Sequence, residues 1–196
     1  MESRDARALS EFAAALERAG VRYAVGGSIA SSYFGEPRST LDVDILIELE
    51  PTRIPELVRE LSRDFLVTED DIRDAILRRT NFNAIHARAF TRMDVYIAGD
   101  SELDRAQLER RVEQPLHEHT SETIQVTAPE VLVLRKLDWF RKGQLLSDRQ
   151  WLDVLGVLKK QAHHLDLAYM RDLASQTGLD YLLRRALDDA GLAENH

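Results

Sequence analysis

Two aspartates two residues apart, Asp42 and Asp44, interrupt residues 41–49, a run otherwise dense in Val, Ile and Leu. Such a run reads as a strand covered on both faces, and so as a central member of its sheet. Residues two apart in a strand point to the same side, which sets the two carboxylates next to each other. Burying ionised carboxylates is costly unless they are paired or hold a cation, and their mutual repulsion raises one pKa. A divalent metal removes both difficulties. Mg²⁺ takes hard oxygen ligands, commonly one or two carboxylates together with phosphate oxygens. The alternative is that Asp42 lies at the strand edge and Asp44 pairs with an arginine such as Arg38.

Three other features bear on that choice. Upstream, the β-rich residues 21–25 end at Gly26-Gly27-Ser28, and residues 29–34 then form a helical turn or two. A glycine pair between strand and helix lets backbone N–H groups approach a phosphate, and the serine hydroxyl adds a donor, although many such turns only change direction. Arg38 and Thr40 add phosphate-capable donors on the approach to the acidic strand. Further on, Asp94 sits in the apolar run Met93-Asp94-Val95-Tyr96-Ile97. It suits a second metal's ligand or a base for an acceptor hydroxyl, and otherwise an edge-strand residue facing solvent.

The rest of the chain supplies a frame. Leu9, Phe12, Ala13, Leu16 and Ala19 repeat with helical period and stop at Gly20. Residues 55–63 read as a helix, 65–67 as a short strand and 68–79 as a helix capped by Thr68. Residues 82–86 and 93–97 are spaced to pair as a hairpin, Ser101 to Asp104 opens a helix to about Val112, and 124–126 form a last short strand. Helices are then expected from Thr127-Ala128-Pro129-Glu130 to Lys142, from a cap at Ser147 to about 161, over 165–175 and over 179–190. The expected fold is therefore α/β (α+β): a mixed sheet flanked by helices over residues 1–126, followed by a C-terminal helical region over 127–196. Trp139 and Trp151 fit the core-facing sides of the tail helices better than they fit base-stacking platforms.

Composition narrows the chemistry. With no cysteine among 196 residues, thiolate zinc sites, disulfides and a cysteine nucleophile are excluded, and a cytoplasmic setting is the simplest one. His117, His119, His163 and His164 lack an HExxH spacing, and no G-x-S-x-G elbow occurs. No apolar run approaches membrane-spanning length. A net charge of -8 argues against a general nucleic-acid coat, leaving only the local pairs Arg78-Arg79, Arg110-Arg111, Arg135-Lys136 and Arg141-Lys142 as basic patches.

The order Gly-Gly-Ser, Arg-x-Thr-x-Asp-x-Asp and a distant Asp in an apolar strand resembles the nucleotidyltransferase superfamily shared by polymerase beta, aminoglycoside nucleotidyltransferases and poly(A)/CCA-adding enzymes. Within it the chain looks most similar to AbiEii-type toxin-like proteins and small bacterial nucleotidyltransferases, also in the tail, where residues 130–137 are followed by 147–154. The resemblance implies an NTP substrate and Mg²⁺ or Mn²⁺. It makes Asp42, Asp44 and Asp94 the catalytic and metal-binding carboxylates. Gly26, Gly27, Ser28, Arg38, Thr40 and Lys136 would bind the nucleotide. The tail departs from the family's pattern in one place, where Ser147 stands before Asp148 in place of lysine, so Asp148, Arg149 and Asp153 also read as helix-capping and solvated residues. The implied acceptor is a hydroxyl or phosphate on a protein, a tRNA or a small molecule, with a role in a toxin–antitoxin system as one setting. A partner of the same fold that binds without turnover is the alternative.

Overall fold

The apolar stripe of the first helix is realised in α1 (Ser3–Arg18), where Leu9, Phe12 and Leu16 are fully buried. The structure is a computed structural model that describes residues 3–37, 42–117 and 120–192, so Arg38 and Thr40 lie outside the described residues. After α1 come β1 (Arg22–Val25), α2 (Gly27–Phe34), β2 (Asp42–Glu48), a 3-10 turn at Pro51–Arg53, α3 (Ile54–Leu61), β3 (Phe65–Leu66) and α4 (Glu69–Arg78). These are followed by β4 (Asn81–His86), β5 (Arg92–Ile97), α5 (Glu102–Glu109), β6 (Arg111–Pro115) and β7 (Thr123–Thr127). Helices α6 (Pro129–Lys142), α7 (Asp148–Gln161), α8 (Leu167–Thr177) and α9 (Asp180–Ala190) complete the described chain.

The capping signals act as the sequence predicts. Thr68 and Asp71 form a reciprocal capping box on α4, while Ser101 and Ser147 accept from the amides of Asp104 and Gln150 to start α5 and α7. One boundary differs. The helix expected to reach Val112 ends at Glu109, and Val112 belongs to β6. That strand lies at the sheet edge and is half-exposed, so its sequence RVEQP carries no apolar alternation, and a terminal proline costs an edge strand little.

The described strands form one seven-stranded mixed sheet in the order β3-β4-β5-β2-β1-β7-β6, which puts β2 in the middle as its apolar run predicts. β2 runs antiparallel to β1 and parallel to β5, and β4 and β5 pair as the predicted antiparallel hairpin. Alternation along β2 sends Val43, Ile45 and Ile47 into the larger core, which also contains Phe12 of α1 and Leu57 of α3. The other face carries Leu46, packed with Ala24 and with Leu108 of α5, and it is this face that Asp42 and Asp44 share. Among the described residues, no helix is long and apolar enough to cross a membrane.

Candidate functional site

Strand register assembles the carboxylates. Parallel pairing of β2 with β5 sets Asp44 opposite Asp94 and Asp42 opposite Arg92, so three acids from two strands stand on one face. Asp94 is only 8% exposed and lies on an inner strand, which removes the edge-strand reading. Burial, followed by the charge of Asp94, pushes the Asp44 carboxyl above its ordinary range. The Lys136 charge and a hydrogen bond from the Ser28 backbone amide pull the other way. Arg92 reaches across the outer pair, 3.3 Å from Asp42 Oδ1 and 2.9 Å from Asp94 Oδ2.

The glycine turn fits closely around Asp44. The Gly26 amide donates to the Asp44 carbonyl at 2.8 Å, and Gly27 sits in the left-handed region with φ of 53°. A Cβ on Gly27 would lie 1.8 Å from Asp44 Oδ2, so no other residue fits at this position without moving the carboxylate. The turn thus holds Asp44 as well as opening the N-terminus of α2.

Behind the turn runs a buried polar brace that the sequence did not announce. Arg135 of α6 donates to Gln107 Oε1 at 2.7 Å and pairs with Asp104, and Gln107 donates to Thr127 Oγ1 at 3.0 Å. Thr127 in turn donates to the Val25 carbonyl at 3.0 Å, one residue before the turn. Burial alone would raise the Asp104 carboxyl, but the Arg135 charge and hydrogen bond, the Gly99 amide and the Ser101 hydroxyl hold it below its usual range.

The tail contributes the opposite wall. Lys136 is buried, and its ammonium is 2.7 Å from Asp153 Oδ2 of α7. Gly26, Gly27, Ser28, Asp42, Asp44, Asp94 and Lys136 all line a single cleft of about 1090 Å³, which also takes in Arg149 and Asp153. Every candidate residue within the described chain therefore comes to one place. Trp139 does not follow its core-facing expectation: it is 48% exposed and lines the cleft, whereas Trp151 packs at a tilt against Phe140 and donates from its indole nitrogen to Asp189.

The carboxylate set suits a hard divalent cation, since it offers only oxygen donors, and one of them, Asp44, is partly buried against a like charge. A second acid cluster lies outside the cleft: ligand atoms of Glu11, Asp64 and His86 fall within 4.8 Å of one another. There the Ala89 amide donates to His86 Nδ1 at 2.8 Å, which puts the imidazole proton on Nε2, directed at Glu11 Oε2 2.6 Å away.

Neither a family model nor a curated protein sequence matches this chain. Solved structures do. The antibiotic-resistance factor ANT(2'')-Ia superposes with a TM-score of 0.58 at 12% identity, covering 96% of this chain and 99% of that one. The same factor in complex with adenylyl-2''-tobramycin gives 0.56 at 12% identity, covering 91% and 98%. An antigenic nucleotidyltransferase-like protein from Paracoccidioides brasiliensis gives 0.59 at 16% identity, covering 96% and 92%. At such identities the likeness is one of architecture, and over nearly its whole length this chain has the nucleotidyltransferase fold.

Proposed function

We propose that this chain is a metal-dependent nucleotidyltransferase that moves a nucleoside monophosphate from an NTP to an acceptor hydroxyl. The observation that carries the reading is the facing pair of partly buried Asp44 and buried Asp94 beside Asp42, with the Gly27–Ser28 turn on one side and Lys136 on the other. Asp42, Asp44 and Asp94 would hold Mg²⁺ or Mn²⁺, which when bound neutralises charge on the transferring phosphoryl and on the leaving pyrophosphate. The turn at the start of α2 orients the triphosphate, and the Lys136 ammonium, held by Asp153, balances its charge. The acceptor oxygen attacks the α-phosphorus in line. Its proton passes to the Asp94 carboxylate, and the bond to the β-phosphate oxygen breaks so that pyrophosphate leaves with the electron pair.

A structural neighbour holds adenylyl-2''-tobramycin, which makes a small-molecule hydroxyl the acceptor to test first, ahead of tRNA and protein. A bacterial, cytoplasmic role in a toxin–antitoxin pair, which the motif resemblance to AbiEii-type proteins suggests and no family or curated sequence match supports, has as its readout growth arrest on expression, relieved by Asp44→Asn. The direct test is transfer of label from α-labelled NTP in the presence of Mg²⁺. Full activity in an Asp42→Ala, Asp44→Ala double variant would sink the reading. The Arg92 contacts favour one second reading, a binding partner without turnover, because a guanidinium already neutralises two of the acids. Tight partner binding with no NTP consumption by calorimetry would select it.

A further inference from the structure

We infer that Trp139 and Tyr96 form the platform on which the nucleobase of the NTP stacks, an inference that rests on the triphosphate reading above. Tyr96 lies two residues beyond Asp94 on the same strand and therefore on the same face, about 6.8 Å along β5. Trp139 lies three residues beyond Lys136 on α6, about 4.5 Å further along the helix and on the same side. The two rings meet edge to face, centroids 6.0 Å apart. The pair thus stands one step beyond the charged groups on both walls of the cleft at once.

The exposure pattern argues for a ligand. On α6 the neighbouring Leu137 and Phe140 are buried, while the largest side chain of the helix leaves 48% of its surface open inside a cleft. An indole placed only to pack would be covered, as its apolar area is worth burying. The cleft sets its strand carboxylates at Asp44 and Asp94 and its aromatic rings one step further on, at Tyr96 and Trp139, with the Lys142 ammonium 5.8 Å from the indole ring; that order suits a ligand of phosphates, then a sugar, then a flat ring. The acceptor has a different way in. Across β5 from Asp94 stands Asn83, which is exposed, next to the partly open Ile85, so the sheet beside the third carboxylate is open on the β4 side. Stacking does not depend on the identity of the base, so the platform fixes ring position before it selects among nucleotides.

The experiment uses the full chain carrying Trp151→Phe, in which Trp139 is the only indole, titrated with each NTP and with inorganic tripolyphosphate in the presence of Mg²⁺. Nucleotides are expected to quench the Trp139 emission, and tripolyphosphate to bind by calorimetry without quenching. Trp139→Ala in the otherwise unaltered chain is expected to weaken NTP binding about 5- to 100-fold and to leave tripolyphosphate affinity within about twofold, while Trp139→Phe recovers most of the loss. Unchanged NTP affinity in Trp139→Ala overturns the stacking platform and leaves the triphosphate reading standing. Equal loss of both ligands in that variant overturns it too, since the ring would then act through the fold. If the unsubstituted protein binds neither NTP nor tripolyphosphate, the triphosphate reading itself fails and the platform fails with it.

Discussion

The Arg92 guanidinium lies 2.9 Å from the Asp94 carboxylate, and the same group reaches Asp42 on the neighbouring strand. It occupies the side of the acidic cluster that a cation would seek. Replacing it with glutamine keeps length and polarity but removes the competing charge. Arg92→Gln is expected to bind Mg²⁺ or Mn²⁺ about 3- to 10-fold more tightly by calorimetry, with a larger gain at low ionic strength. Weaker metal binding in this variant would mean that Arg92 supports the carboxylates and does not compete for them.

Ionising Asp44 costs the fold stability. Its pKa is raised by burial and by Asp94, so the folded protein binds the proton more tightly than the unfolded chain does. Stability on this account is greatest below the unfolded carboxylate pKa and falls as pH rises toward and through the raised folded value. Asp44→Asn keeps an acceptor for the Ser28 amide and removes the charge. Thermal melts at neutral pH without metal should place this variant a few degrees above the parent, with the gap closing as pH drops below the carboxylate range. Nucleotidyl transfer should be lost.

Gly27→Ala tests the fit of the turn. The added carbon would meet Asp44 Oδ2 at 1.8 Å, and alanine is strained at a φ of 53°. A destabilisation of about 1–3 kcal/mol in urea titrations is expected, together with loss of at least roughly 100-fold in transfer activity, because the displaced carboxylate is a central one. Near-parental turnover would show that Asp44 does not need its present position.

Lys136 and Asp153 are both largely buried, so removing either one takes a 2.7 Å counter-charge from the other. Asp153→Asn should lower stability by about 2–4 kcal/mol, and Lys136→Met by less, since methionine is apolar and similar in length. Combining Lys136→Met with Asp153→Leu should recover stability without recovering turnover. A double variant that transfers nucleotide at the parental rate would assign the pair to folding alone.

The legible parts of the site are those set by local periodicity. The period of two in Asp42-Val43-Asp44, the unbroken apolar run around it and the glycine pair beside a strand lie within about twenty residues of one another, and each carries its geometry with it. What stayed hidden depends on register and packing. Local periodicity does not indicate that β5 pairs in parallel with β2 so that Asp94 faces Asp44 and Arg92 faces Asp42, because a crossover through α3, β3, α4 and β4 sets that alignment; only the family resemblance brought Asp94 to the other two acids. The brace from Asp104 through Arg135 and Gln107 to Thr127 joins α5, α6 and β7, elements whose contacts no periodicity encodes. Trp139 misled for a related reason. Its spacing fits the buried stripe of α6, but that helix is apolar on most sides, so the pattern could not tell a core face from a cleft face.

The cleft draws its acids from strands in the first half of the chain and its buried ammonium from a helix that begins only at Pro129 and is held in place by the next one. During synthesis, therefore, a chain released as far as the end of the sheet would carry the acidic cluster exposed and electrically uncompensated on the α6 side. On the proposed reading, a chain extending only to the end of the sheet is silent, and catalytic competence arrives with α6 and α7, which bring Lys136 and Asp153 to the cleft.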